Sequence, residues 1–260
     1  MVLLHGFGAS GFSWRHWKAP LSQRHALHLV DLKGFGKSAT ERHGSLGPVE
    51  QSRCVLEYIR ARELRDPILV GHSLGGGVAL LSALKLLDSG TPPKGLILVS
   101  STAYRQPMPL FIGLARTPFL GELLFSLLPP RLLMRLALSR ITGAGFEATP
   151  GQIQGYAAPL RSLRNRFTMI RAAREILPPD LDALTPRYRE LDVPALLIWG
   201  DRDPVVPVGL GRRLAQELPD ARLVELEGCG HLPAEERPQE SLAPVLTFLD
   251  ELDHPEAPDP

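Results

Sequence analysis

The stretch Ile68-Leu69-Val70-Gly71-His72-Ser73-Leu74-Gly75-Gly76-Gly77 decides how the rest of the chain is read. An apolar run enters a G-x-S-x-G sequence at Gly71 to Gly75, and helical spacing follows from Val78 to Leu87. By itself such a match is weak, arising by chance in roughly one of eight sequences of this composition. Its setting between a strand and a helix predicts a tight turn that lifts a serine hydroxyl above a sheet. Glycines flank the serine because larger side chains would clash in so sharp a turn. The Leu74 amide then faces the place where an oxyanion would form. The competing reading is a glycine-rich helix start capped by Ser73.

A serine hydroxyl is a poor nucleophile unless a base takes its proton and an acid orients that base. Both follow later in the chain. Leu196-Leu197-Ile198-Trp199-Gly200 reads as a strand with Asp201 and Asp203 just beyond it, and Gly228-Cys229-Gly230-His231 forms a glycine-flanked loop after the next strand. His231 is the expected base, and either aspartate is a candidate acid.

Working outward, short apolar runs recur at Val2 to Leu4, Ala26 to Val30, Pro67 to Val70, Gly95 to Val99, Ala195 to Trp199 and Arg222 to Leu226. Stretches of helical spacing such as Cys54 to Leu64 lie between most of them. This alternation predicts an α/β fold with a largely parallel sheet. Between Ser100 and Leu191 the rhythm stops, and helical candidates at Pro129 to Ser139 and Leu160 to Leu177 replace it. The expected organisation is a core of residues 1–101 and 191–252, an all-helical insertion at 102–190 and a disordered tail at 253–260 rich in Pro and acids.

The 260 residues hold 29 Lys and Arg against 28 Asp and Glu, a formal +1 that argues against a nucleic-acid partner. The balance conceals a segregation: residues 101 to 190 carry twelve Arg, no Lys and six acids. Those arginines are expected to be solvated surface, with attraction of an anionic acyl substrate as the alternative. Two cysteines, Cys54 and Cys229, are too few for a disulfide framework. No apolar run reaches the length of a membrane helix and no signal peptide is recognisable, so no stable membrane insertion is expected and the cytoplasm is the expected location. No metal-ligand constellation appears and no cofactor is expected.

Together, His5-Gly6-Phe7-Gly8, Asp31-Leu32-Lys33-Gly34-Phe35-Gly36-Lys37-Ser38, Gly71-His72-Ser73-Leu74-Gly75-Gly76, Gly200-Asp201-Arg202-Asp203 and Gly228-Cys229-Gly230-His231 resemble the α/β-hydrolase fold superfamily, in its branch of capped serine hydrolases. The resemblance covers Val2 to Val99 and Leu191 to Leu249. It implies that Asp203, last in G-x-x-D, is the acid, with Asp201 the fallback. It implies a second oxyanion donor at the Phe7 amide beside Leu74, a loop-holding role for His5 and a wall role for His72. Residues 102–190 take the cap position, with Met108, Phe111, Phe119, Phe125, Met134 and Tyr156 as candidate pocket lining; most of these are expected to form the cap's own core. The implied activity is hydrolysis of a carboxylic ester through Ser73, His231 and Asp203, on a small and apolar acyl substrate. Thioesterase, carbon–carbon bond hydrolase and perhydrolase activities share the same groups. Members of the superfamily usually have eight strands, so the six counted here imply two more before Val2, on the order of 20 to 30 residues, leaving Ala26 to Val30 at a sheet edge.

A rival reading is a dinucleotide-binding oxidoreductase: Gly6, Gly8 and Gly11 satisfy G-x-G-x-x-G and Asp31 ends the following strand. Against it, the phosphate-binding helix would have to run through Phe12 to Trp17 and Pro20. Gly36-Lys37-Ser38 has the tail of a P-loop, but Asp31 stands where its leading glycine is required.

Overall fold

The computed structural model describes residues 1–38 and 44–254, and of Phe111 the backbone alone. The pocket candidate Phe111 therefore lies outside the described side chains, and the tail from residue 255 outside the described residues.

Six strands form one sheet, in which every pairing is parallel: β1 Val2–Leu4, β2 His28–Val30, β3 Ile68–His72, β4 Gly95–Val99, β5 Ala195–Gly200 and β6 Ala221–Leu226. Their spatial order is β2-β1-β3-β4-β5-β6. The four inner strands are buried along their whole length, which is why they read as unbroken apolar runs rather than alternating ones. Alternate residues still serve different faces. Leu4, Leu69, Leu98 and Leu197 belong to one apolar cluster, and Leu3, Val70, Ile97 and Ile198 to the other. Helices α2 (Pro48–Ala61), α3 (Leu74–Asp88) and α10 (Val208–Glu217) supply residues to the first cluster, and α1 (Arg15–Ser22), α11 (Pro233–Glu236) and α12 (Pro238–Asp253) to the second.

The segment between β4 and β5 contains α4 (Leu110–Arg116), α5 (Leu120–Leu127), α6 (Pro130–Ile141), α7 (Pro150–Ala157), α8 (Leu163–Arg174) and α9 (Leu181–Leu184), and no strand among its described residues. After β1 the chain moves outward to β2 and then returns to β3 on the other side of β1. The loops leaving β1 and β3 therefore open onto a crevice at the carboxyl ends of the strands, where such sheets bind ligands.

Several boundaries differ from the sequence expectation. α2 starts at Pro48, six residues before Cys54, because Gly47 and Pro48 make a ready helix start. The expected helix from Leu160 to Leu177 is a 3-10 turn at Pro159–Arg161 followed by α8, separated by the extended Ser162 (φ −83°, ψ 122°). α1 was not foreseen. It runs through Pro20, the proline counted against a helix there, with Trp17 and Leu21 buried on one face. Burial of that face offsets the hydrogen bond the proline removes. Asp253, assigned to the tail, is the last residue of α12 and pairs with Lys94 Nζ at 2.8 Å.

Candidate active site

Ser73 sits between β3 and α3 with φ 51° and ψ −117°, a conformation that L-residues with a side chain avoid. Surrounding backbone holds it there. The Ser73 amide donates to Val99 O at 3.0 Å, and Ser73 O accepts from the amides of Gly76 and Thr102 at 2.9 and 3.1 Å. The glycines are required by close approach: a Cβ on Gly71 would lie 2.4 Å from Gly75 O, and one on Gly75 would lie 2.3 Å from Leu4 O. The turn thus packs directly against the end of β1.

The loop after β6 brings His231 over this turn. Its Nε2 lies 2.9 Å from Ser73 Oγ and its Nδ1 lies 2.9 Å from Asp203 Oδ2. Of the two aspartates, Asp203 is the one that meets this imidazole. Asp203 Oδ1 accepts from the amides of Val205 and Val206 at 2.8 and 2.9 Å, aiming Oδ2 at the imidazole. Asp201 instead lies beside Arg202, at 3.6 Å. Burial works to raise the Asp203 pKa, but the neighbouring imidazole and these hydrogen bonds outweigh it and hold the carboxyl below its ordinary value. Ser73, Asp203 and His231 are all buried, at 7%, 6% and 4% exposure.

Phe7 follows β1 in the adjacent loop. Among the described residues neither its amide nor that of Leu74 has a hydrogen-bond acceptor. His5 shapes this loop: Nδ1 donates to Gly6 O at 2.8 Å and Nε2 accepts from the Leu32 amide at 3.0 Å. Asp31 is occupied in the same way, accepting from the Gly11 and Lys37 amides at 2.7 Å each. A dinucleotide site would need that carboxylate for a ribose, so the rival reading fails at its acid.

His72 is buried, with Nε2 donating to His231 O at 2.8 Å, so it supports the His231 loop. A void of about 10 Å³ adjoins it, bounded in part by Ser13, Trp14, Tyr156 and Leu232. Burial, followed by the neighbouring His231, lowers the His72 pKa to about 3, and burial lowers that of His5 too. The unfolded chain takes up protons at these histidines below about pH 6.5 while the folded chain does not, so stability falls as pH drops from there toward 3. One such histidine costs about 2 kcal/mol between pH 6.5 and 5. Urea unfolding of His72→Asn is expected to show a visibly shallower loss of stability over that interval than the parent.

The remaining pocket candidates separate. Phe125 and Met108 are half-buried and pack with Phe7 against Ile112, Ala115 and Ala173, and Met134 packs beside Ala9, Leu138 and Leu232. Phe119 points outward at 89% exposure and lines nothing. Tyr156 is buried, but its hydroxyl is used in donating to Glu235 at 2.8 Å. Of the arginines in this segment, Arg166 is buried and donates to the carbonyls of Phe125, Ser126, Leu128 and Leu160, tying α8 to α5 and to the 3-10 turn rather than facing solvent. A larger cleft of about 290 Å³, lined by Pro194, Asp220, Arg222, Phe248 and Glu251, lies at the amino ends of β5 and β6, remote from Ser73.

Sequence reasoning missed Glu236. This buried carboxylate accepts from the Gly230 and Leu232 amides on either side of His231, both at 2.9 Å, and from the Gly143 amide at 2.7 Å. With the His231 amide donating to Ile141 O at 2.8 Å, it clamps the His231 loop to the end of α6. Its only sequence signal was a Pro-Ala-Glu-Glu helix start two residues after the histidine. In Glu236→Gln the new NH2 must face a backbone donor, which costs on the order of 1–3 kcal/mol. Its melting temperature is expected to fall by several degrees, and its kcat for a soluble ester more than its KM rises.

Related proteins place these observations. The hydrolase YugF of Bacillus subtilis is 28% identical over 249 residues, covering 96% of this chain and 89% of that protein. The pimeloyl-[acyl-carrier protein] methyl ester esterase of Nitrosomonas europaea is 30% identical over 243 residues, covering 90% of this chain and 88% of its own length. Among solved structures, an alpha/beta hydrolase fold protein from Burkholderia ambifaria superposes with a TM-score of 0.82 at 24% identity, covering 95% of this chain and 89% of that one. Residues 1–245 match the model of the alpha/beta hydrolase family, and the chain belongs to that family.

Proposed function

We propose that the protein is a serine hydrolase acting on a carboxylic ester or closely related acyl substrate. The observation that carries this reading is the single imidazole of His231 bridging Ser73 Oγ and Asp203 Oδ2, at 2.9 Å each, beside two unengaged backbone amides. Ser73 Oγ attacks the substrate carbonyl while His231 Nε2 takes its proton. Asp203, accepting from Nδ1–H, fixes the tautomer and stabilises the imidazolium. The amides of Phe7 and Leu74 receive the oxyanion, an arrangement in which one donor is worth about 3 kcal/mol of barrier. His231 then gives the proton to the leaving alcohol, leaving an acyl-enzyme. Water, deprotonated by the same imidazole, attacks the acyl carbon, and the acid departs as Ser73 regains its proton.

Residues 102–190 act as a cap in this reading, supported by the two backbone tethers from Ile141 and Gly143 to the His231 loop. Phe125 and Met108, against Phe7, suit a small apolar acyl group. The Nitrosomonas europaea relative, named as a methyl ester esterase, favours an ester over other acyl derivatives. The test is reaction with a fluorophosphonate followed by peptide mapping, together with a panel of p-nitrophenyl esters of graded acyl length. An adduct on the Ser73 peptide and turnover of short esters are expected. An adduct elsewhere, or none with no turnover of any ester, overturns the reading.

A further inference from the structure

Ten large hydrophobic residues of the described chain are exposed, and nine of them fall between Leu110 and Phe167, within the helical segment. α5 carries them on its outer face: Leu120, Leu123 and Leu127 are exposed at helical spacing, and Phe119 precedes them at 89% exposure. α4 and α8 pack on α5 and add Leu110, Leu163 and Phe167. Soluble proteins seldom leave so many bulky apolar side chains together in water.

The helical segment is positive as well, including α6, which follows α5 after Leu128 and Pro129. Helices α4, α5, α6 and α8 contain seven Arg besides the buried Arg166, and a single acid, Glu122, which is paired with Arg174. Arg116, Arg131, Arg135 and Arg140 are exposed, and on α6 they alternate with exposed Leu132 and Leu136. From this charge and apolarity we propose that the face formed by these helices docks on an anionic lipid surface. Leucine and phenylalanine enter the acyl boundary and arginines meet the lipid phosphates, as in interfacial amphipathic helices. A second copy of the chain would set one positive face against another. A protein partner would be gripped through anchors seated in a packed depression, whereas Leu110, Phe119 and Leu127, at 72%, 89% and 71% exposure, stand proud at helix ends. No helix among the described residues is long and apolar enough to cross a membrane, so the attachment is peripheral.

Co-sedimentation of the full chain with vesicles tests the proposal, using phosphatidylcholine alone or mixed equally with phosphatidylglycerol. Binding at least about tenfold stronger to the anionic vesicles is expected, weakened by salt. Leu123→Ser/Leu127→Ser and, separately, Arg131→Glu/Arg135→Glu are each expected to reduce it about tenfold or more, with melting temperature and turnover of a soluble short ester unchanged. Leu123→Ser alone, a milder change, should give a smaller loss. Binding to neither vesicle overturns the proposal, as does binding indifferent to both pairs of substitutions. A concentration-dependent dimer dissolved by the leucine substitutions, without vesicle binding, also overturns it and assigns the face to a second copy. Ser73→Ala should bind vesicles like the parent, so docking and the proposed chemistry can fail independently.

Discussion

Ser73→Ala is expected to lower kcat for short p-nitrophenyl esters about a million-fold and to abolish fluorophosphonate labelling, because in the proposed reaction Ser73 Oγ forms the acyl-enzyme. The measurement is steady-state hydrolysis with active-site titration of the parent. Turnover within tenfold of the parent would remove Ser73 from the chemistry. The same position makes an opposite prediction for stability. Ser73 adopts φ 51° and ψ −117° while carrying a Cβ, a strain on the order of 1–3 kcal/mol that only glycine avoids. Ser73→Gly and Ser73→Ala lose the same hydrogen bond to His231, so their difference reports the strain relieved, less the roughly 0.5–1 kcal/mol of unfolded-state entropy that glycine adds. Ser73→Gly should therefore melt several degrees above Ser73→Ala, although both are inactive. A melting temperature of Ser73→Gly a few degrees below that of Ser73→Ala would mean that the turn stores no strain at this residue.

Asp203→Asn is expected to reduce kcat about ten-thousand-fold with little change in KM, since an amide cannot hold the imidazole in the tautomer that receives the serine proton. Asp201→Asn, two residues away, should cost less than about tenfold, because Asp201 faces Arg202 and does not reach His231. Comparable losses in both variants would return the acid's role to Asp201. The Asp203 carboxyl is held below its ordinary value in the folded chain. Its contribution to stability is accordingly present above about pH 4 and is lost as pH falls through the lowered value. Asp203→Asn should therefore unfold with a flatter pH dependence than the parent in that acid range.

The fold was legible because its signals are local. A parallel strand buried on both faces must be apolar throughout, so β1, β3, β4 and β5 announce themselves without reference to their neighbours. Likewise Gly71 and Gly75 mark the turn because a Cβ on Gly71 would lie 2.4 Å, and one on Gly75 2.3 Å, from a backbone oxygen. The expectation failed where a tertiary contact overrides local preference. α1 forms across Pro20 because Trp17 and Leu21 are buried beneath it. Phe119, apolar and therefore expected inside, is held outside with φ 62° where α4 and α5 meet. Arg166, expected on the surface, is buried because four carbonyls receive its guanidinium.

The residue types and their order along the chain determined the sheet, the serine turn and the presence of a base and an acid after later strands, because each depends on the backbone within a few positions. How Asp203 is aimed at His231, how Glu236 holds the histidine loop to α6, and which apolar side chains of the helical segment face inward were decided by the tertiary structure. Those outcomes depend on hydrogen bonds and packing between residues tens to hundreds of positions apart, such as the 93 separating Gly143 from Glu236, and no local pattern encodes such a distance.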